Sequence, residues 1–431
     1  MKRVLVLSNS ASLQDLNNRS NLNLLINMDC EIHVGCNFVS GNTTSHERVE
    51  AFVHELKNAG VVCLNIRFVS SKNPFAKQPA AEEEIEKIIS RHGYDLIHCL
   101  TLTALKIAGP AAAKHKIPVI CTSYGLPVHK GSSVFERMYF APKLKAASKY
   151  ADTFICCNSE DRAYAEKNMK AKKVLRIPGT GLDPYHFRAP TVPKAKMREF
   201  MEIPQNAVTL ITVAPLTSKK NHAVVIKAIN ALRKLNIHYV ICGGGEKAES
   251  LYTLTRDLNL EDRIHFAKNR DDVVNMVHAC DIFCLPSKEE GVGTAALEAM
   301  EAGLPLVTSD VQAFRDFMEN GVTGYMCRPK SVSDVMAGIE ALTEDRKLRM
   351  QIGTHNRTAV QEYYRQNTES IMQEVFAEYL EDEEDNAYPH EKISEKETKS
   401  KKKKDRKKSR AKTKIKKDTE TEPEKETATV S

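Results

Sequence analysis

The sequence predicts an α/β protein whose parallel sheets are covered by helices, and three observations carry that prediction. Short, apolar, β-prone runs alternate with amphipathic helical segments from the first residues to about residue 380. That alternation builds parallel sheets. At 431 residues the chain has room for two such domains and a large core. Gly179 and Gly181 break the rhythm near its middle, as a hinge between the two would.

In the first half, strands are predicted at residues 3–7, 32–36, 61–66, 95–99, 118–122, 153–157 and 174–177, with helices such as 81–90 and 134–148 between them. Ligands of parallel sheets bind outside the carboxyl ends of strands, so the residues that follow each strand are weighed first. The first strand runs into Ser8-Asn9-Ser10, with no glycine fingerprint. A nicotinamide-dinucleotide fold carries G-x-G-x-x-G there, so its absence argues against a dehydrogenase. Asn17-Asn18-Arg19 follow and read as a polar helix start or as ligand contacts. His98 ends a strand, where a histidine is either structural or part of a site.

The second half opens with a strand at 208–213, then Pro215, Lys219, Lys220 and Asn221. The helix after it places Val225, Ala228, Ile229, Leu232 and Leu235 on one face. A strand at 238–242 ends in Gly243-Gly244-Gly245, where backbone can approach a neighbour closely. Residues 332–342 and 346–353 read as helices, and 357–380 as one long helix.

The most informative stretch is 287–309. A buried strand, 281–285, leads to a loop containing Gly291 and Gly293. Thr294 is read as the cap of a helix formed by 295–302, which Gly303 and Pro305 end. A helix start behind a glycine loop presents free N–H groups and about half a positive charge, a cradle for phosphate. Glu290 and Glu298 bracket it. Carboxylates repel phosphate but accept hydrogen bonds from sugar hydroxyls, so the combination suits a sugar nucleotide. An ordinary α/β turn with surface glutamates is the alternative.

Glu290-x7-Glu298 followed by Ala-Met-x-Ala-Gly-x-Pro resembles the signature of family-4 glycosyltransferases, retaining enzymes with the GT-B fold. The resemblance extends over about residues 1–380. It implies two Rossmann-like domains with parallel sheets facing a central cleft: 1–185 on the acceptor side, 186–360 binding the nucleotide sugar, and a terminal helix, 361–380, crossing back. It places Glu290 at the donor sugar, Glu298 at the ribose, and Gly291, Val292, Gly293, Thr294 and Ala295 near sugar and diphosphate. Lys220 matches the lysine that holds the diphosphate, with Gly244 and Lys219 beside the donor. Pro215 stands where the family has an arginine and Asn221 where it has glycine. Residues 119–131, 158–161 and 177–183 are similar to capsular and exopolysaccharide members, with Tyr124 at the position of a histidine beside the reacting sugar. Asn9, Arg19, His98 and His129 are acceptor-side candidates. The implied reaction moves a sugar from a nucleotide-diphosphate donor, a UDP-sugar foremost, to a lipid-linked or polysaccharide acceptor, without metal or other cofactor. A catalytically impaired homologue serving as scaffold or regulator is the alternative, motivated by Pro215, Tyr124 and Leu100, the last standing where capsular and exopolysaccharide members have a second histidine after His98.

Composition agrees with a cytoplasmic protein; a peripheral place on the inner face of the cell membrane is inferred from the tail and from the acceptors that the resemblance implies. No apolar run approaches spanning length, and the start reads as a strand rather than a signal peptide. The eleven cysteines show no metal spacing and are expected reduced and buried. The net charge of +7 hides an uneven tail: residues 399–417 hold 13 Lys/Arg against one acid, between acidic flanks. The tail, 381–431, is expected to be disordered. Its basic block, Lys399 to Lys417, suits an anionic membrane surface; nucleic acid is the least favoured partner.

Overall fold

A computed structural model describes residues 1–71 and 73–381; the basic tail block, Lys399 to Lys417, lies outside them. The first seven strands are β1 (Arg3–Ser10), β2 (Glu31–Asn37), β3 (Val62–Asn65), β4 (Leu96–Cys99), β5 (Val119–Ser123), β6 (Thr153–Cys156) and β7 (Lys173–Arg176). Six more follow: β8 (Val208–Val213), β9 (Ile237–Cys242), β10 (Ile264–Lys268), β11 (Ile282–Leu285), β12 (Leu306–Ser309) and β13 (Gly324–Cys327).

Among the described residues these form two sheets, ordered β3-β2-β1-β4-β5-β6-β7 and β10-β9-β8-β11-β12-β13. Every strand pair is parallel. The strands are near-continuous apolar runs because helices cover both faces; Val4 to Leu7 of β1 are fully buried. Both sheets change winding direction beside their first strand, between β1 and β4 and between β8 and β11. Crevices open at such points, outside the strand carboxyl ends. This is the GT-B architecture.

The last helix, Arg365–Leu380, packs Met372, Val375 and Phe376 with Leu22 and Leu25 against the first sheet. It corrects the prediction of a single helix over 357–380. The chain instead runs through the helix Arg346–Ala359, a 3-10 turn Val360–Tyr363, and an extended Tyr364. The reason is a long-range pairing. The Leu182 N–H donates to the Tyr363 carbonyl and the Arg365 N–H to the Leu182 carbonyl, each at 2.8 Å. The two crossings between the halves thus run side by side. Gly181, at φ +87°, is needed there: a Cβ would stand 2.8 Å from the Arg365 Cα.

Two smaller differences share a cause in tertiary packing. The helix His222–Ala231 stops before Leu232 and Leu235, which still join the core beneath it. Asn221, in place of the family glycine, adopts the left-handed conformation that asparagine tolerates (φ +61°). Its amide donates to the carbonyls of Pro286 and Pro329, tying the end of β8's loop to the loops after β11 and β13. None of the eleven cysteines is in a disulfide, and nine are buried. Among the described residues no helix is long and apolar enough to cross a membrane.

Candidate active site

The loops after β8 and β11 meet at the winding change of the second sheet, and a cavity of about 350 Å³ opens there. Val213, Ala214, Pro215 and Lys220 line it from β8 and its loop, and Leu285 and Glu290 to Ala295 from β11 and its loop, while Asn17 and Tyr124 close it from the first sheet's loops. Eight residues singled out from sequence converge on it: Glu290, Lys220, Tyr124, Gly291, Val292, Gly293, Thr294 and Ala295.

The helix Thr294–Glu301 starts at the cavity wall. Thr294 is not its cap, contrary to expectation. Gly293 holds the cap position at φ +77°, and no side chain caps the helix. The leading amides of Thr294 and Ala295 are therefore left for a ligand in the cavity. Glycine at 293 follows from that conformation and from Phe314, whose ring would lie 2.8 Å from a Cβ.

Lys220 Nζ donates to Glu290 Oε2 at 2.6 Å, and the buried Ser287 hydroxyl donates to the same oxygen at 3.2 Å. The side chains of Lys220 and Glu290 are only 21% and 13% exposed. Ser287 was missed from sequence; its place three residues before Glu290, within one loop, is the signal that marks it. The site thus joins one cation, one oriented carboxylate and one open helix start.

Tyr124 donates from its hydroxyl to the Asn17 carbonyl at 3.3 Å. Burial pushes the phenol well above its ordinary pKa, so it remains a neutral hydrogen-bonding group. Its backbone touches the glycine loop: a Cβ on Gly291 would lie 1.9 Å from the Tyr124 carbonyl oxygen. The two halves meet at this point.

The Asn158–Asp161 segment holds the same junction. Asn158 caps its helix by accepting from the Asp161 N–H. Glu160 and Asp161 do more than favour the helix dipole. Asp161 accepts from the Leu126 N–H at 2.9 Å and Glu160 from the Lys130 N–H at 2.6 Å, fixing the loop that carries Tyr124. Glu160 also pairs with Arg315, and the Ser159 N–H donates to Asp316 at 2.9 Å, both in the second half.

Other predicted residues lie away from the cavity wall. Lys219 is half exposed and paired with Glu289. Gly244 accepts from the Leu216 N–H and supports the floor loop. Asn9 accepts from the Thr101 hydroxyl at 2.8 Å. Arg19 is committed to Asp15 and Glu55. His129 accepts at Nδ1 from the Gly131 N–H within a turn. His98 is fully buried, 2.9 Å from the Thr122 hydroxyl and edge-on to Phe376. Burial lowers its pKa to about 3, as for a core histidine. Glu298 sits one turn behind the wall, half-buried, its carboxyl raised to about 8 by burial.

That shift sets a pH dependence. Glu298 and Asp161, the latter raised to about 6 by burial, both have folded pKa values above their ordinary ones. Between about pH 4 and 8 the folded state then binds more protons than the unfolded state, so these groups make stability fall as pH rises. Thermal melts of the ligand-free protein will show this slope. Glu298→Gln will flatten its upper part and Asp161→Asn its lower part; an unaltered slope in both variants would refute the assignment.

The chain is a glycosyltransferase, and it belongs to glycosyltransferase family 4. Two family sequence models match it side by side, Glycosyltransferase Family 4 over residues 22–183 and Glycosyl transferases group 1 over 193–359. EpsD of Bacillus subtilis is 24% identical over 317 residues, covering 72% of this chain and 83% of EpsD. An Escherichia coli UDP-Gal:α-D-GlcNAc-diphosphoundecaprenol α-1,3-galactosyltransferase is 26% identical over 271 residues, covering 61% of this chain and 70% of its own. Among solved structures, Anabaena Alr3699/HepE in complex with UDP-glucose superimposes with a TM-score of 0.69 at 20% identity, covering 88% of this chain and all of HepE.

Proposed function

We propose that the chain transfers a hexosyl or N-acetylhexosaminyl group, with retention of anomeric configuration, from a UDP-sugar to a hydroxyl of a lipid-linked glycan in cell-surface polysaccharide synthesis. The observation that carries this reading is the convergence of Lys220, Glu290 and the open start of the helix Thr294–Glu301 on one cavity. The diphosphate lies against the helix amides with Lys220 as its cation, and Glu290 turns to the sugar hydroxyls. Glu298 accepts from the ribose, in agreement with its having no ion-pair partner among the described residues. The acceptor oxygen bonds to the anomeric carbon on the face from which the phosphate oxygen leaves, and that oxygen takes the acceptor proton. Lys220 and the helix amides stabilise the charge that develops on the leaving diphosphate, so this reading calls for no metal. HepE, which binds UDP-glucose, and the E. coli relative, with its diphosphoundecaprenol acceptor, support the donor and acceptor classes. The halves divide the work: 1–185 faces the acceptor and 186–360 the donor.

Pro215 in the cavity wall favours a second reading, a homologue that binds donor without turnover, because it leaves no guanidinium for a bidentate phosphate contact. A panel of UDP-, GDP-, ADP- and dTDP-sugars in thermal shift, followed by hydrolysis of any hit, separates the two. A UDP-sugar will raise the melting temperature and be cleaved slowly to UDP. Stabilisation without cleavage, even with lipid-linked acceptors added, would establish the second reading. No stabilisation by any donor would overturn both.

A further inference from the structure

The first half presents an apolar and basic rim that the sugar-transfer site does not use. In the helix Val134–Ser148, Val134, Phe135 and Met138 are 70%, 84% and 70% exposed, and Tyr139 is 46% exposed. Their spacing places them on one side of two successive turns. Large apolar side chains left in water side by side mark an interaction surface.

This end of the helix is rigidly built. Ser133 and Glu136 form a reciprocal capping box, which also occupies the one carboxylate of the segment. Further along, Leu144, Ala147 and Ser148 are buried and anchor the helix to the core. The apolar turns are thus held out in a fixed orientation. Residues 130–149 hold five Lys/Arg against that single glutamate. Lys130, Lys145 and Lys149 are exposed, and Lys143 lies over the Tyr139 ring at 3.1 Å.

The rim continues beyond the helix. The Asn73 amide donates to the Tyr139 hydroxyl at 2.8 Å, joining the helix to the loop after β3, where Val69 is 63% exposed. Val39, 76% exposed, lies in the loop after β2. In a parallel sheet these loops share one end, the end that also carries Tyr124 and the cavity.

We propose that this rim, centred on Val134–Tyr139, docks onto an anionic lipid bilayer, the apolar side chains entering the interface and the lysines meeting acidic headgroups. The interleaving of exposed apolar groups with cations fits a charged, apolar-cored surface. The choice of bilayer over protein rests on the lipid-linked acceptor of the proposed function. The loop from Tyr124 to Ser133 joins cavity and rim directly, so docking delivers membrane-held acceptors to the cleft.

The chain contains no tryptophan, which makes the test local. Phe135→Trp in the full-length chain supplies a single reporter, used with vesicles of phosphatidylcholine containing about one third phosphatidylglycerol. Emission will shift to the blue on vesicle addition and stay shifted at high salt, which screens the basic tail and the rim lysines but not the insertion of the apolar side chains. Phe135→Ser with Met138→Ser will reduce cosedimentation at high salt about tenfold or more while leaving the UDP-sugar thermal shift unchanged. Solvent-exposed emission from vesicle-bound protein, cosedimentation at high salt undiminished in the double variant, or no vesicle binding by the parent chain would each overturn the proposal. Vesicle binding and donor binding are read separately, so failure of the donor reading is distinguishable from failure of the docking one.

Discussion

Lys220→Ala will lower sugar transfer about 10²-fold or more, the loss typical when one preorganised group facing developing charge is removed. Two effects act in the same direction. In the proposed mechanism the departing diphosphate loses the cation that lines its cavity. Glu290, only 13% exposed and 2.6 Å from the lysine, is left without its counter-charge and repels the donor phosphates. Glu290→Gln, which keeps the shape and removes the charge, will lower turnover through the sugar contact instead. Because the two side chains touch, the double variant will lose less than the sum of the single losses. Steady-state kcat/KM with the donor found by thermal shift is the measurement, and unchanged rates in Lys220→Ala would remove the lysine from the mechanism. Lys219→Ala is the control. Its amine pairs with Glu289 on the surface, a contact of the kind that contributes little, and its rate will stay close to the parent's.

Gly291→Ala will be nearly as damaging, through geometry alone. The new Cβ would stand 1.9 Å from the Tyr124 carbonyl oxygen and 3.1 Å from its carbon. Both atoms are backbone, so no rotamer change relieves the clash, and the glycine loop must part from the Tyr124 loop. That displaces Glu290 and the leading amides of the helix Thr294–Glu301 relative to the first half. A misplacement of about 1 Å costs about 10²-fold in rate. The clash lies where the halves meet rather than inside either core, so the melting temperature will change little. Gly244→Ala provides the contrast: the nearest atoms its Cβ would meet belong to the Asn269 side chain, at 3.3 Å, and that side chain can move. Full activity in Gly291→Ala would show that contact between these loops is not needed for transfer.

Much of this was legible in the chain itself. The strands were readable because β-branched, apolar runs such as Val208–Val213 have few alternatives to a buried parallel strand. The Gly291–Gly293 loop was readable because a glycine pair between a strand and a helix constrains backbone over a few residues. Lys220 and Glu290 were readable through the family resemblance, and each lies in a loop directly beyond a strand of the same sheet, where such loops share a crevice.

Whether a polar side chain is free or committed was decided elsewhere. Arg19 looked available beside the first strand, yet its guanidinium is held by Glu55, 36 residues away. His98 ends a strand as a ligand-binding histidine would, but Phe376 from the last helix closes over it. Glu160 lies in the first turn of its helix, where an acid favours the dipole, yet Arg315, 155 residues later, is brought against it. The apparent helix over 357–380 gave way because Leu182 claims the hydrogen bonds at Tyr363 and Arg365. Propensity and periodicity act over a few residues along the chain, and they determined the elements and which faces are apolar. Ion pairs, caps and burial join residues that only packing brings together, and so the tertiary structure alone decided which of the predicted groups line the cavity.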